Sequence, residues 1–238
     1  MSSRPPEPAI AFKKSVFREY LESIVVAVIL ALFIRTFAVQ AFKIPTGSME
    51  PNLLIGDHLL VNKLVYSPSF GSLEQALFGK RPIERGHVVV FKFPEDPTRD
   101  FIKRVIGLPG ETVEIRNKQV FVNGKAVEEP YAHFIEAPLR PDDPEYSAGG
   151  DGLRDSWGPQ TVPAGQLLVL GDNRDNSRDS RFWGFLPVDQ VKGRALLVYW
   201  SYEATREEYH RTGVVEWVRD TLSAFGRTRW KRFFHVIR

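Results

Sequence analysis

Residues 24–34 read IVVAVILALFI, eleven apolar side chains without a break. After Arg35 and Thr36 the stretch FAVQAF carries the run to Phe42, so Ile24–Phe42 is 19 residues. As a helix that is about 28 Å, close to one hydrocarbon thickness. Arg35 sits near the far end, where its long stem can bring the guanidinium back to the lipid interface. Arg4, Lys13, Lys14 and Arg18 precede the run and favour a cytoplasmic N-terminus, with everything after Phe42 on the outer side. This divides the chain into a cytoplasmic tail (1–19), a transmembrane anchor (20–42), a main body (43–200) and a C-terminal segment (201–238). The same residues also fit a cleavable leader ending at Val39-Gln40-Ala41, which a mature chain starting at Phe42 would reveal.

Beyond Phe42 the texture changes to short β-branched and aromatic runs separated by turns. HLLVNKLV (58–65), HVVVFKF (87–93), FIKRVIGL (101–108), TVEI (112–115) and QVFVNGKAV (119–127) read as strands, with Asn123-Gly124 as a hairpin turn. LLVLGD (167–172) and ALLVYW (195–200) read as buried strands, and SLEQALF (72–78) as a short helix. Pro/Gly-rich residues 137–165 lie within a variable excursion placed over 116–166. The body is therefore mainly antiparallel β.

The net charge of +3 is unevenly placed. Arg227, Arg229, Lys231, Arg232 and Arg238 gather at the C-terminus without an acid, and the centre is acidic on balance. That argues against nucleic acid as a partner. Trp230, Phe233 and Phe234 lie among those cations, a mixture suited to anionic lipid headgroups or to packing on the body with a solvated basic face. With no cysteine, thiolate catalysis, disulfides and cysteine metal sites are excluded.

Common catalytic signatures are missing. Thr46 and Glu50 stand where a nucleophile elbow around Ser48 needs glycines, and there is no Walker A loop, HExxH or EF-hand. Three segments remain: KIPTGSMEPNLLIGD (43–57), DFIKRVIGLPGE (100–111) and GDNRDNSRDSRFWGFLP (171–187). Alone, Ser48 reads as a turn residue, Lys103 as a solvated strand residue and the third segment as a polar loop. The apolar neighbours Phe101, Ile102, Val105 and Ile106 mean that an inward-pointing Lys103 would favour its neutral form.

In this order, after an N-terminal apolar span, the three segments resemble the boxes of bacterial type I signal peptidases (leader peptidases), over residues 20–115 and 167–200. The resemblance implies a catalytic domain of two antiparallel β-sheets. It implies Ser48 as nucleophile and Lys103 as general base, with an oxyanion hole made by the Ser48 N–H and the hydroxyl of Thr46, where relatives often carry serine. It makes Ser177 the residue that orients the lysine amine, and Asp179 and Arg181 an ion pair bracing the site, in the box that Gly171 and Asp172 begin. Phe42, Ile44, Met49, Leu53, Phe101 and Ile102 match residues lining shallow pockets for small substrate side chains.

The implied enzyme is a membrane-anchored serine endopeptidase that needs no metal or cofactor. It acts as a monomer on exported preproteins at the outer side of the bacterial cytoplasmic membrane, cleaving Ala-x-Ala sites. The residues suit that chemistry. A serine is a poor nucleophile until a base takes its proton, and a lysine serves only as the free amine, which requires burial without a carboxylate on it. Arg104, next in the strand, points to the opposite face. Ser48 lies six residues past Phe42, at most about 20 Å of extended chain, so it works near the bilayer surface. Two alternatives stay open: an anchored β domain that only binds envelope partners, and a related serine-lysine peptidase with another role.

Overall fold

A computed structural model describes residues 16–63, 82–135, 152–204 and 226–237. The chain divides into two compact units, Met1–Ala38 and Val39–Arg238. The expected helix at 72–78, the tail before residue 16 and much of the Pro/Gly-rich stretch lie outside the described residues.

In the first unit α1 spans Val16–Phe33 and continues as a π-helical stretch, Ile34–Ala38. No side chain of α1 is buried, so its apolar surface is open all round. The helix opens with Arg18, Glu19 and Glu22, and Arg18 pairs with Glu22 one turn on at 2.8 Å. No helix among the described residues is long and apolar enough to cross a membrane. The helix anticipated through Phe42 therefore ends early, because Val39–Lys43 forms strand β1 instead. Its five residues pair antiparallel with β2 (Asp57–Asn62), from Val39 opposite Asn62 to Lys43 opposite His58. Val39, Gln40 and Phe42 suit a pleated, half-buried surface, and a free ladder beside them outweighs the helical pattern.

The second unit holds two antiparallel sheets. The larger runs β1–β2–β11–β3–β4–β9–β10, with β12 paired to β11. Its further strands are β3 (Val88–Phe93), β4 (Asp96–Gly107), β9 (Gln166–Leu170), β10 (Leu186–Pro187), β11 (Val191–Ser201) and β12 (His235–Val236). The smaller sheet is β7–β6–β5–β8, built from β5 (Thr112–Arg116), β6 (Gln119–Val122), β7 (Lys125–Ala126) and β8 (Trp157–Thr161). Asn123 and Gly124 take φ of 50° and 77° between β6 and β7, the left-handed geometry a two-residue hairpin demands. The excursion is thus partly structural, since β8 returns from it to pair with β5.

Three apolar clusters make the core. Val88 and Val90 join one and Val89 and Phe91 another, so β3 is buried on both faces, as its unbroken valine run suggests. The third packs Ile106, Leu168 and Leu170 of the large sheet against Val113, Ile115, Val120 and Val122 of the small one. β4 and β9 are likewise packed on both faces, Ile102, Val105 and Ile106 joining three different clusters and Leu167 with Val169 a different one from Leu168 with Leu170, so polar side chains mounted there are firmly based.

Candidate active site

Ser48 lies in a loop closed at its base by Ile44 N–H to Asp57 O (2.9 Å) and Gly56 N–H to Ile44 O (3.1 Å). Within it the Leu53 N–H donates to Met49 O at 2.9 Å, and Met49 and Leu53 plug into the first core cluster. Asn173, just after β9, ties the loop down: its N–H donates to Ser48 O and its Nδ2 to Gly47 O, each at 3.1 Å. Gly171 makes this approach possible, for a Cβ there would lie 2.5 Å from Ser48 O and closer still to Ser177 Oγ.

Lys103 stands on β4 opposite Val89 of β3, and its Nζ lies 5.6 Å from the centroid of the Phe101 ring. Strand alternation puts Phe101, Lys103 and Val105 on one face and Ile102, Arg104 and Ile106 on the other. The Nζ of Lys103 is 2.5 Å from Ser48 Oγ, with the residues only 3% and 8% exposed. Burial pushes the Lys103 amine down to about 8, against the pull of Asp179 and Asp172 and helped by Arg181. The carboxylates are kept from neutralising this effect because each has its own cation.

Arg181 meets Asp179 with both arms, Nε to Oδ1 at 2.8 Å and Nη2 to Oδ2 at 2.9 Å. Burial works against the charge on Asp179, but the Arg181 guanidinium and the Gly171 N–H hold its carboxyl below the usual range. The expected ion pair between these residues is present, at the start of the helical turn Ser180–Trp183. Arg181 also donates to the carbonyls of Arg154 and Arg174, at 2.7 and 2.6 Å. Asp172, fully buried, receives Arg104 in the same two-armed manner at 2.8 and 2.7 Å. Asn52 Nδ2 donates to Asp172 at 2.9 Å, linking the nucleophile loop to this second pair.

Other anticipated residues fall differently. Ser177 Oγ is buried and makes no hydrogen bond among the described residues, to Lys103 or otherwise, although it lies near enough to Asp179 to favour that carboxylate's charge. Thr46 is half-buried in the turn beside Ser48. Ile44, Met49, Leu53 and Ile102 share one cluster with Phe42 packed against it, whereas Phe101 joins another. Met49 and Leu53, at 0% and 1% exposure, have no surface to offer a ligand and instead back the others. A cleft of about 510 Å³ that includes Gln40, Lys92 and Lys192 lies apart from the dyad. No metal-binding group of three His, Cys, Asp or Glu occurs among the described residues.

The sequence reading passed over Asn52, Asn173 and the partnership of Arg104 with Asp172. Asn173 was the most accessible of these, a polar residue that follows the apolar run LLVL by way of Gly171 and Asp172.

Comparison with known proteins gives this arrangement its context. The family model for signal peptidase, peptidase S26, matches residues 17–200. A signal peptidase I of Leptolyngbya laminosa is 40% identical over 205 residues, covering 82% of this chain and 87% of that protein. Signal peptidase I S of Bacillus subtilis is 35% identical over 200 residues, covering 83% and 96%. A solved signal peptidase I from Enterococcus faecalis, 31% identical, aligns with 48% of this chain and 97% of that one at a TM-score of 0.37. A match over most of the chain, with this identity to full-length relatives, places the protein in the signal peptidase, peptidase S26 family, among the bacterial type I signal peptidases.

Proposed function

We propose that this signal peptidase removes signal peptides from preproteins with Ser48 as nucleophile and the free amine of Lys103 as its base. The observation that carries the reading is the 2.5 Å approach of Lys103 Nζ to Ser48 Oγ inside a buried pocket. Ser48 Oγ attacks the scissile carbonyl while its proton passes to Nζ. The negative oxygen that forms is held by the Ser48 N–H and the Thr46 hydroxyl, which have no partner among the described residues. The resulting ammonium then gives its proton to the departing amine, leaving an ester on Ser48. A water deprotonated by the same amine attacks that ester, and the proton returns to Ser48 as the acid product leaves.

Asp179 and Arg181 brace the strand end beneath the amine. Ser177, whose buried hydroxyl has no geometric hydrogen bond among the described residues, orients the amine as it changes charge. Phe42, Ile44 and Ile102, backed by Met49 and Leu53, form one apolar surface, which admits alanine-sized side chains and rejects larger ones by overlap, and Phe101 lines the other face of β4 beside Lys103. The exposed apolar run from Ile24 into the π-helical stretch supports membrane attachment, ending at Ala38, with the N-terminus cytoplasmic and the body on the outer side as a monomer. Detergent-purified Ser48→Ala and Lys103→Ala proteins, incubated with a preprotein bearing an Ala-x-Ala site, should yield no mature product by N-terminal sequencing. Processing by folded Lys103→Ala at the wild-type rate would overturn the assignment.

A further inference from the structure

Asp57 is fully buried at the start of β2, where the nucleophile loop ends. Its Oδ2 accepts the Leu54 N–H at 2.8 Å, closing the last turn of that loop. The cation that answers this buried charge comes from the far end of the chain. Arg232 reaches Asp57 with Nε at 3.1 Å and Nη2 at 2.6 Å, and the same Nη2 donates to Asn52 O at 2.8 Å. Arg229 adds a bond from Nη1 to Ile55 O at 3.0 Å. Both arginines lie beyond the residues that the family model matches.

The segment bearing them is itself fixed. The Arg229 N–H donates to Ser201 O at 2.8 Å, β12 pairs with Leu197 and Val198 of β11, and Ile237 is buried in the cluster that contains Met49 and Leu53. The loop is therefore gripped from two sides. Asn173 and Asp172 hold Gly47, Ser48 and Asn52, while Arg232 and Arg229 hold Asn52, Ile55 and Asp57. Asn52 belongs to both grips, through its side chain on one side and its carbonyl on the other.

We infer that Arg232 is a positioning residue for the cleavage reaction: by clamping Asp57 and the Asn52 carbonyl it fixes the nucleophile loop so that Ser48 Oγ faces Lys103 Nζ. This rests on the serine-lysine reading of the site and extends it to the C-terminal segment. Removing the guanidinium leaves a buried carboxylate unanswered and the second grip open. The loop then samples arrangements in which Oγ and Nζ are apart, and misplacement near 1 Å is enough for about a 100-fold loss. The damage should fall on kcat, because the groups Arg232 holds, the Asp57 carboxylate and the Asn52 carbonyl, belong to the loop that carries the nucleophile.

The test uses the full chain in lipid-detergent micelles with a preprotein carrying an Ala-x-Ala site, and counts active sites by single-turnover burst. Arg232→Ala should lower kcat about 10- to 100-fold with KM within about two-fold of wild type. Millimolar guanidinium should restore much of the loss, since Arg232 is 17% exposed at its side chain and its place is reachable from solvent. Arg232→Lys should retain an intermediate kcat. Asp57→Asn should match Arg232→Ala, and the double variant should be no worse than either. Unchanged kcat per folded enzyme, a loss confined to KM, or additive effects in the double variant would overturn the inference. If Arg232→Ala does not fold, Asp57→Asn decides alone: a kcat loss with KM held supports the clamp, and a wild-type kcat refutes it. Ser48→Ala runs alongside, because activity there would defeat the serine-lysine reading itself, whereas its silence beside an unimpaired Arg232→Ala would defeat only the clamp.

Discussion

Replacing Lys103 by Met should make the protein inactive and yet more stable at neutral pH. The two side chains have similar length, and Lys103 is buried with an amine pushed down from 10.5 to about 8. Each pH unit of that displacement is worth about 1.4 kcal/mol, so holding the amine in its pocket costs about 3 kcal/mol once the unfolded lysine is fully protonated. Losing the bond to Ser48 Oγ returns about 1 kcal/mol of that. The net gain for Lys103→Met is then about 2 kcal/mol at pH 7, or about 4–8 °C in Tm for a domain of this size.

The gain must depend on pH in one direction. Below about 8 both the folded and unfolded wild type carry the proton and the penalty is constant at its maximum. Between there and about 10.5 only the unfolded chain binds it, so wild-type stability rises with pH and the difference between the proteins closes. Urea unfolding of both proteins in the same detergent, from pH 7 to pH 10, measures this. A Met variant no more stable at pH 7, or an advantage that persists unchanged at pH 10, would show that Lys103 is not held against its preferred charge.

Four further outcomes follow from the same geometry. For the wild type, kcat/KM should rise about ten-fold from pH 7 to pH 9 and level off above the amine's pKa of about 8, as a base that must be unprotonated requires. Thr46→Val should lower kcat by about 10²–10³ in single-turnover assays while Thr46→Ser stays near wild type, because only the hydroxyl is needed at the oxyanion. Gly171→Ala should abolish processing without unfolding the sheet, since the added methyl meets the Ser48 carbonyl at 2.5 Å; comparison of circular dichroism with activity separates the two effects. Arg104→Met should destabilise by about 3–5 kcal/mol in urea, as it strands the buried Asp172 carboxylate.

Most strands of the body were legible because their runs alternate or saturate with β-branched residues between turn glycines. HVVVF became a strand buried on both faces, and Asn123-Gly124 gave a hairpin by its tolerance of positive φ. Val39–Lys43 was not legible as a strand, since FAVQAF continues an apolar run and nothing local reveals that β2 offers a ladder. β12 was equally hidden: two residues become a strand only because β11 presents an edge. Within the site, Ser48 and Lys103, 55 positions apart, could be named only through the resemblance that their segments carry together, and Asp179 with Arg181 could be paired from local spacing. The bonds of Asn52 to Asp172 and of Arg232 to Asp57 could not, because each joins chain positions more than a hundred residues apart through polar side chains that look solvated when read in line.

Ile237 is packed among Met49, Leu53 and Leu59, residues made some 180 positions earlier. During synthesis the nucleophile emerges well before the side chain that completes its hydrophobic bed. A growing chain thus carries Ser48 and Lys103 through a long stretch of its elongation without the finished packing beneath the loop, and maturation of the enzyme has to wait until Ile237 has been made. Premature stops or C-terminal trimming after about residue 225 would release a chain with every catalytic group present and the bed incomplete.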